Sequence, residues 1–247
     1  MTYGYGTLSA RVYDLDKPVG TSFGDVEFYL RALEGVSGVI LEPGVGTGRM
    51  LIPLLDAGLQ VEGSDTSPEM LKICRDSCRS RDLDPVLHEV DMAGFVAPGR
   101  YQAIVIPAGT FALVTGPGRA EAALRNMRES LTSGGRLIVD LDPPSFDTAP
   151  GPMRHWRDGE DLLTLHTQHV ETDPVAQQTT SWLRYELWRA GRLILTELQV
   201  FTLRQYGLAE FTSMLAVAGF TTIEVCANHQ EGKAPDPTSH VWTFQAS

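Results

Sequence analysis

Between Val39 and Leu141 the chain alternates two kinds of segment. Val39–Leu41, Val61–Gly63, Val86–Val90, Ile104–Ile106 and Leu137–Leu141 are short and rich in β-branched or aliphatic residues. Such unbroken apolar runs suit strands buried on both faces. Helix-length stretches separate them: Met50–Ala57, Pro68–Arg81 and Gly118–Thr132. Ser67, Pro68 and Glu69 together read as a helix start, with serine as the N-cap and proline at the first helical position, and the "TSGG" after Leu131 reads as a helix stop. Strand and helix in alternation predict a doubly wound α/β domain with a mostly parallel sheet.

The period changes after Pro143. A proline-rich loop, "DPPSFDTAPGP", leaves the sheet edge, and three stretches of period-two character follow: Leu162–Glu171, Thr179–Arg189 and Arg192–Leu203. The last two are joined by Ala190-Gly191, the length of a tight hairpin turn. They predict an antiparallel meander inserted over residues 146–206. The α/β pattern then resumes with a helix over Leu208–Ala218 stopped by Gly219, a strand over Thr221–Cys226 and a last strand over His240–Gln245. One domain over residues 1–247 accounts for the length.

Composition narrows the chemistry. The chain has 247 residues, of which 43% are hydrophobic and 21% charged, and a net charge of −11 from 31 acids and 20 bases. No basic block occurs, so a polyanionic partner would meet repulsion, and nucleic acid is not an expected substrate. The N-terminus lacks a basic region followed by an apolar block, and no stretch is apolar enough to span a membrane; a cytoplasmic protein is expected. Cys74 and Cys78 stand one helical turn apart with Cys226 far off, too few for a disulfide framework or a zinc site.

The stretch "VILEPGVGTGRM" carries the candidate chemistry. Glycines at positions 44, 46 and 48 follow a strand, a place where absent side chains let a ligand reach the main chain. A dinucleotide fingerprint needs a third glycine where Arg49 stands, and no Gly-Lys-Ser/Thr follows to make a phosphate loop. Glu42-Pro43-Gly44-Val45-Gly46-Thr47-Gly48 instead resembles motif I of the class I S-adenosylmethionine-dependent methyltransferases. Asp65 in "VEGSDTSPEML", Asp91 and Met92 in "HEVDM", and the run "YQAIVIPAGTFALV" are similar to that family's later motifs, in order. The resemblance covers residues 36–141 well and the ending "LAEFTSMLAVAGFTTIEV" moderately, and the meander is similar to the branch that includes sugar N,N-dimethyltransferases and natural-product enzymes.

The resemblance implies a Rossmann-like seven-stranded sheet with a reversed last strand, and S-adenosylmethionine as cofactor. It implies that Glu42, Gly44, Gly46, Gly48, Asp65, Thr66, Met70, Asp91, Met92 and Pro107 hold that cofactor, with Asp65 at the ribose hydroxyls, Asp91 at the adenine amine and Met92 beside the ring. It also implies that the N-terminal segment 1–35 folds across the cofactor. Independently, carboxylates at strand ends suit a ligand whose donors are a diol, an amine and an ammonium.

Methyl transfer is an in-line displacement, so the protein's task is alignment and exclusion of water. Tyr5, Tyr13, Thr110 and Phe111 are candidate walls of an acceptor site, and Tyr13 and His155 are the candidate catalytic groups. In the meander Trp182, Arg184, Glu186 and Trp188 share one face, and Leu183, Tyr185 and Leu187 the other. The odd separation of His166 and His169 predicts opposite faces and therefore no metal site. Arg49 is expected to meet either the cofactor or Glu69, and Arg204 to cap a helix or pair locally. The expected activity is methylation of nitrogen or oxygen on a small-molecule acceptor, by a monomer or homodimer whose meander is a lid or a dimer element. The alternatives are a noncatalytic cofactor-binding module and an NAD-dependent oxidoreductase.

Overall fold

The computed structural model describes residues 4–145 and 148–247. Phe146 and Asp147 of the proline-rich loop, and the first three residues of the N-terminal segment, lie outside the described residues. Seven strands form the main sheet: β1 (Ile40–Pro43), β2 (Val61–Asp65), β3 (Leu87–Glu89), β4 (Tyr101–Ile106), β5 (Leu131–Leu141), β10 (Ile223–Ala227) and β11 (Trp242–Ala246). Their spatial order is β3-β2-β1-β4-β5-β11-β10, with β1 to β5 parallel and β11 antiparallel to both its neighbours. The reversed last strand is as expected.

Successive residues of each strand feed the two faces. Ile104, Ile106, Leu137 and Val139 pack with α5 (Arg119–Ser130) and α6 (Leu208–Val217). Ile40, Ala103, Val105 and Ile138 pack on the other face with α2 (Asp25–Ala32), α3 (Leu51–Asp56) and α4 (Pro68–Arg79). The Ser67 Oγ accepts the Met70 N–H at 3.1 Å, the N-cap read from sequence. The "TSGG" segment is not a helix stop: α5 ends at Ser130 and β5 starts at Leu131, because Leu131 already pairs with Tyr101 before an irregularity leads on to Arg136 opposite Ala103.

A second, antiparallel sheet has four strands, in order β6 (Arg154–Asp158), β7 (Asp161–Asp173), β8 (Gln178–Arg189) and β9 (Arg192–Arg204). Strand β6 was not expected, since its "RHWRD" holds one apolar residue and gives no period-two signal. Ala190 and Gly191 both have positive φ, 48° and 73°, as the two-residue hairpin requires. A register shift between Thr167 and His169 overturns the parity argument for the histidines: His166 faces Arg184 and His169 faces Trp182, so both lie on the Trp182/Arg184 face. One extra residue in a strand inverts the alternation beyond it. Among the described residues no group of three or more His, Cys, Asp or Glu is placed to hold a metal, and no helix is long and apolar enough to cross a membrane.

The helix α1 (Thr7–Asp16) joins the two sheets. Its Leu8 and Val12 pack on Leu163, Tyr185 and Leu187 of the meander, with Trp156 and Leu183 alongside. The Leu183/Tyr185/Leu187 face is therefore the packed one. The Glu197 carboxylate of β9 caps this helix, accepting the Leu8 and Ser9 N–H groups at 2.9 and 3.0 Å and the Ser9 hydroxyl at 2.6 Å. A Cβ at Gly6 would stand 2.7 Å from the Glu197 Cδ, so only glycine leaves room for the cap. Arg11 reaches Asp158 and Asp161, and Arg154 pairs with Asp16.

Candidate active site

The three glycines of the loop after β1 all have positive φ, 71°, 56° and 91°, the left-handed region that side chains resist. The Gly44 and Val45 N–H groups both donate to the Ser64 carbonyl, at 2.6 and 2.9 Å, which folds the loop over the end of β2. A Cβ at Gly44 would collide with the Thr110 methyl group, and one at Gly48 would stand 2.9 Å from the Cys74 Sγ. The loop is thus pressed between α4 and the segment after β4, and its glycines are required for packing.

Asp65 ends β2 and braces this loop. It accepts the Gly46 N–H on one oxygen and the Ser67 N–H on the other, both at 2.9 Å. Burial is the largest influence on it and raises its pKa, against these hydrogen bonds. Thr66 is exposed beside it, and Met70 is buried in the first turn of α4. Glu42 is 2% exposed and its Oε2 has no hydrogen-bond partner among the described residues. Burial pushes its pKa well up, with Arg49 pulling the other way and Asp25 and Asp65 adding to the rise.

Asp91 follows β3 on the rim, where it pairs with Arg119 at 2.6 Å and accepts the Ala93 N–H. The Met92 Cε lies 3.5 Å from the position of a Gly44 Cβ. Pro107 is buried after β4, and its carbonyl accepts the Thr110 hydroxyl at 2.7 Å. These residues therefore converge on the carboxyl ends of β1, β2, β3 and β4, where an open α/β sheet forms its crevice.

Helix α1 lays Tyr13 over the glycine loop, within 3.9 Å of a Gly46 Cβ position, and Tyr5 meets Tyr13 edge-to-face at 5.8 Å between ring centres. The Ser67 hydroxyl donates to the Tyr5 carbonyl at 2.9 Å. Burial raises the phenol pKa of Tyr13, and Arg49 opposes it only in part. Lys17 sits 5.0 Å over the Tyr13 ring, and its pKa falls, mainly through burial.

Arg49 does not pair with Glu69. It is 4% exposed and forks onto Asp25, at 2.5 Å for Nη2 and 3.2 Å for Nη1, with Nη1 also donating to the Thr21 carbonyl at 3.0 Å. The pair ties the α1–α2 connection to the glycine loop. Burial raises the Asp25 pKa, but the Arg49 contact and the Phe23 and Val26 N–H groups outweigh it, and the net direction is down. Phe111 is no substrate wall: it is fully buried among Tyr206 and Phe211. His155 lies on the exposed strand β6 opposite Thr164, on the face away from Trp156 and α1. Arg204 pairs with Glu210 in the first turn of α6 at 3.0 Å, the local pairing expected.

Sequence reasoning missed Asp25, Asp140, Asp142 and His229. Asp140, fully buried in β5, accepts the Thr243 hydroxyl at 2.7 Å and the Ala108 N–H at 3.2 Å and meets His229 at 3.1 Å. It thereby holds Ala108, whose φ is 56°, in the turn after β4. Asp142 stands 3.3 Å from a Gly109 Cβ position, its pKa raised mainly by burial. An acid in the last turn of a strand was the available signal, but only the topology brings β5 and the loop after β10 to the site.

The comparisons with known proteins agree with this geometry. Residues 40–135 match the methyltransferase domain family. Over 141 residues the chain is 28% identical to a Streptomyces fradiae dTDP-3-amino-3,6-dideoxy-alpha-D-glucopyranose N,N-dimethyltransferase, covering 55% of this chain and 54% of that protein. The chain spans about half the length of the curated relatives it matches. An S-adenosylmethionine-dependent methyltransferase from Clostridium acetobutylicum shares the fold with a TM-score of 0.78 at 16% identity, over 96% of each chain. The amino pentose methyltransferase CalS10 from Micromonospora echinaspora, solved with S-adenosylmethionine bound, does so with a TM-score of 0.70 at 20% identity, over 100% of each chain. The glycine loop and the strand order agree with the domain match: residues 40–135 are similar to the methyltransferase domain family, and the fold is that of the solved S-adenosylmethionine-dependent methyltransferases.

Proposed function

We propose that the protein transfers a methyl group from S-adenosylmethionine to a nitrogen or oxygen of a small metabolite. The observation that carries this reading is the cradle formed by the positive-φ glycine loop, the buried and unpartnered Glu42 carboxyl and the Tyr13 ring across Gly46. The cradle suits a ligand that brings a cationic amine to Glu42, a diol to Asp65 and a ring between Asp91 and Met92. When bound, the cofactor supplies a sulfonium-activated methyl group, so the protein need not generate an electrophile.

The chain's own residues then align and enclose. Tyr13, a phenol whose pKa burial raises further, keeps its proton at neutral pH, so its role is to orient an acceptor by hydrogen bonding. His155 takes no part. Lys17 lies over the Tyr13 ring, and the charge of Asp142 acts on it, which makes the two candidate contacts for an acceptor. The acceptor of the Streptomyces fradiae relative is an amino sugar nucleotide, which favours nitrogen here. An amine attacks once neutral and needs no strong base.

Calorimetric titration with S-adenosylhomocysteine, with NAD in parallel, tests the reading. Micromolar binding of the first and none of the second is expected. Incubation with S-adenosylmethionine and panels of amines and alcohols, read by a 14 Da mass gain, then decides nitrogen against oxygen. Binding without methylation of any panel member would favour a noncatalytic module.

A further inference from the structure

Glu42 is an unmatched acid. Its carboxyl lies in the wall of the site with 2% of its surface exposed, and its Oε2 is left without a donor. The charged and titratable groups facing it are Arg49 from the glycine loop, Asp65 from the end of β2, Asp25 and Tyr29 from α2, Tyr13 from α1 and Cys74 from α4. Arg49 is the cation among them, and it is already committed, forked onto Asp25 and bonded to the Thr21 carbonyl. Asp65 is occupied by two N–H groups. An ionised carboxylate buried with no donor costs far more than a neutral carboxylic acid in the same place.

We propose that Glu42 is a neutral carboxylic acid in the free protein and a carboxylate in the cofactor complex, so that cofactor binding releases a proton. The inference rests on the methyltransferase reading above, which brings an amino-acid ammonium to this wall. On binding, the O–H bond of Glu42 breaks, its proton passes to the buffer, and the carboxylate accepts an N–H from the incoming ammonium. The ligand supplies the positive charge that Arg49 cannot spare. Affinity then rises with pH until the free protein has itself lost the Glu42 proton, and levels off above that point.

The test is calorimetric titration of S-adenosylhomocysteine near pH 7 in phosphate and in Tris, buffers of different ionisation enthalpy. The slope of observed enthalpy against buffer enthalpy counts the protons exchanged. Wild type is expected to release close to one proton per ligand, and its affinity to climb by up to about tenfold per pH unit below the plateau. Glu42→Gln, which keeps the shape of the neutral acid, is expected to release none and to bind weakly with a flat pH profile. Buffer-independent enthalpy in wild type would overturn the proposal while leaving the cofactor reading intact. So would the same release from Glu42→Gln, which would assign the proton to Asp65 or another acid. Failure of S-adenosylhomocysteine to bind wild type at all would remove the cofactor reading and this inference with it.

Discussion

His229 shows how one side chain holds the site from behind. It occupies a left-handed turn at φ 54°, packs near Phe28, and meets Asp140, which also holds the Ala108 N–H. Burial, the largest influence, pulls the His229 pKa down, but the hydrogen bond and charge of Asp140 outweigh it and the net direction is up. A histidine whose folded pKa exceeds its unfolded one adds stability that is fully present below about pH 6.5 and is lost as pH rises through the folded value. His229→Gln should therefore lower the melting temperature most at about pH 6, with the gap to wild type closing at alkaline pH. A gap that stays constant from pH 6 to 9 would mean that the pair is not charged in the native state. Glu42 runs the same way with pH: an acid with a raised folded pKa costs stability as pH rises above its ordinary range, so Glu42→Gln should melt higher than wild type in cofactor-free protein at about pH 8.

At the scale of elements, α1 is the part on which both halves of the site depend. Its helical register places Leu8 and Val12 on the meander while Tyr13 faces the glycine loop. The Glu197 cap satisfies N–H groups that the first turn of any helix leaves open, and its charge faces the positive end of the helix dipole. Glu197→Gln should cost about 1–2 kcal/mol, as loss of a helix cap does, which in a chain of this size is a few degrees of melting temperature. It should also weaken S-adenosylhomocysteine binding, though Glu197 lies outside the glycine loop, because Tyr13 loses its anchor. Unchanged ligand affinity alongside a lowered melting temperature would show that α1 does not close the site.

At the scale of the whole molecule, two sheets that share little backbone are joined through α1 and through the face of β9 against the segment after β4. The outward face of the second sheet carries Trp182, Arg184, Glu186 and Trp188, and its edge strand β9 exposes Ile194 and Leu198. The net charge of −11 surrounds this body with a repulsive field for polyanions. Duplex DNA should accordingly show no retardation by micromolar protein even at low salt, where such binding is strongest. A retarded complex that disappears with added salt would reveal a local cationic patch on the outer face and reopen nucleic acid as a partner.

What the sequence by itself determined is the local part of this protein. The apolar runs made β1, β2, β4 and the core of β5, the Ser67 cap started α4, Ala190-Gly191 turned the hairpin, and the spacing of Gly44, Gly46 and Gly48 marked the left-handed loop after β1. Each of these follows from propensity, capping or periodicity within a few residues. Only the tertiary structure decided that Arg49 belongs to Asp25, Asp140 to Thr243 and Ser9 to Glu197, pairs separated by 24, 103 and 188 positions. It alone turned His166 and His169 to one face through a strand irregularity, and buried Phe111 in an aromatic cluster. The physical reason is that a pattern along one chain fixes which way a side chain points from its own element, whereas its partner depends on which elements the topology brings alongside. Where the charges are buried, as at Asp25 and Glu42, the neighbours set their protonation.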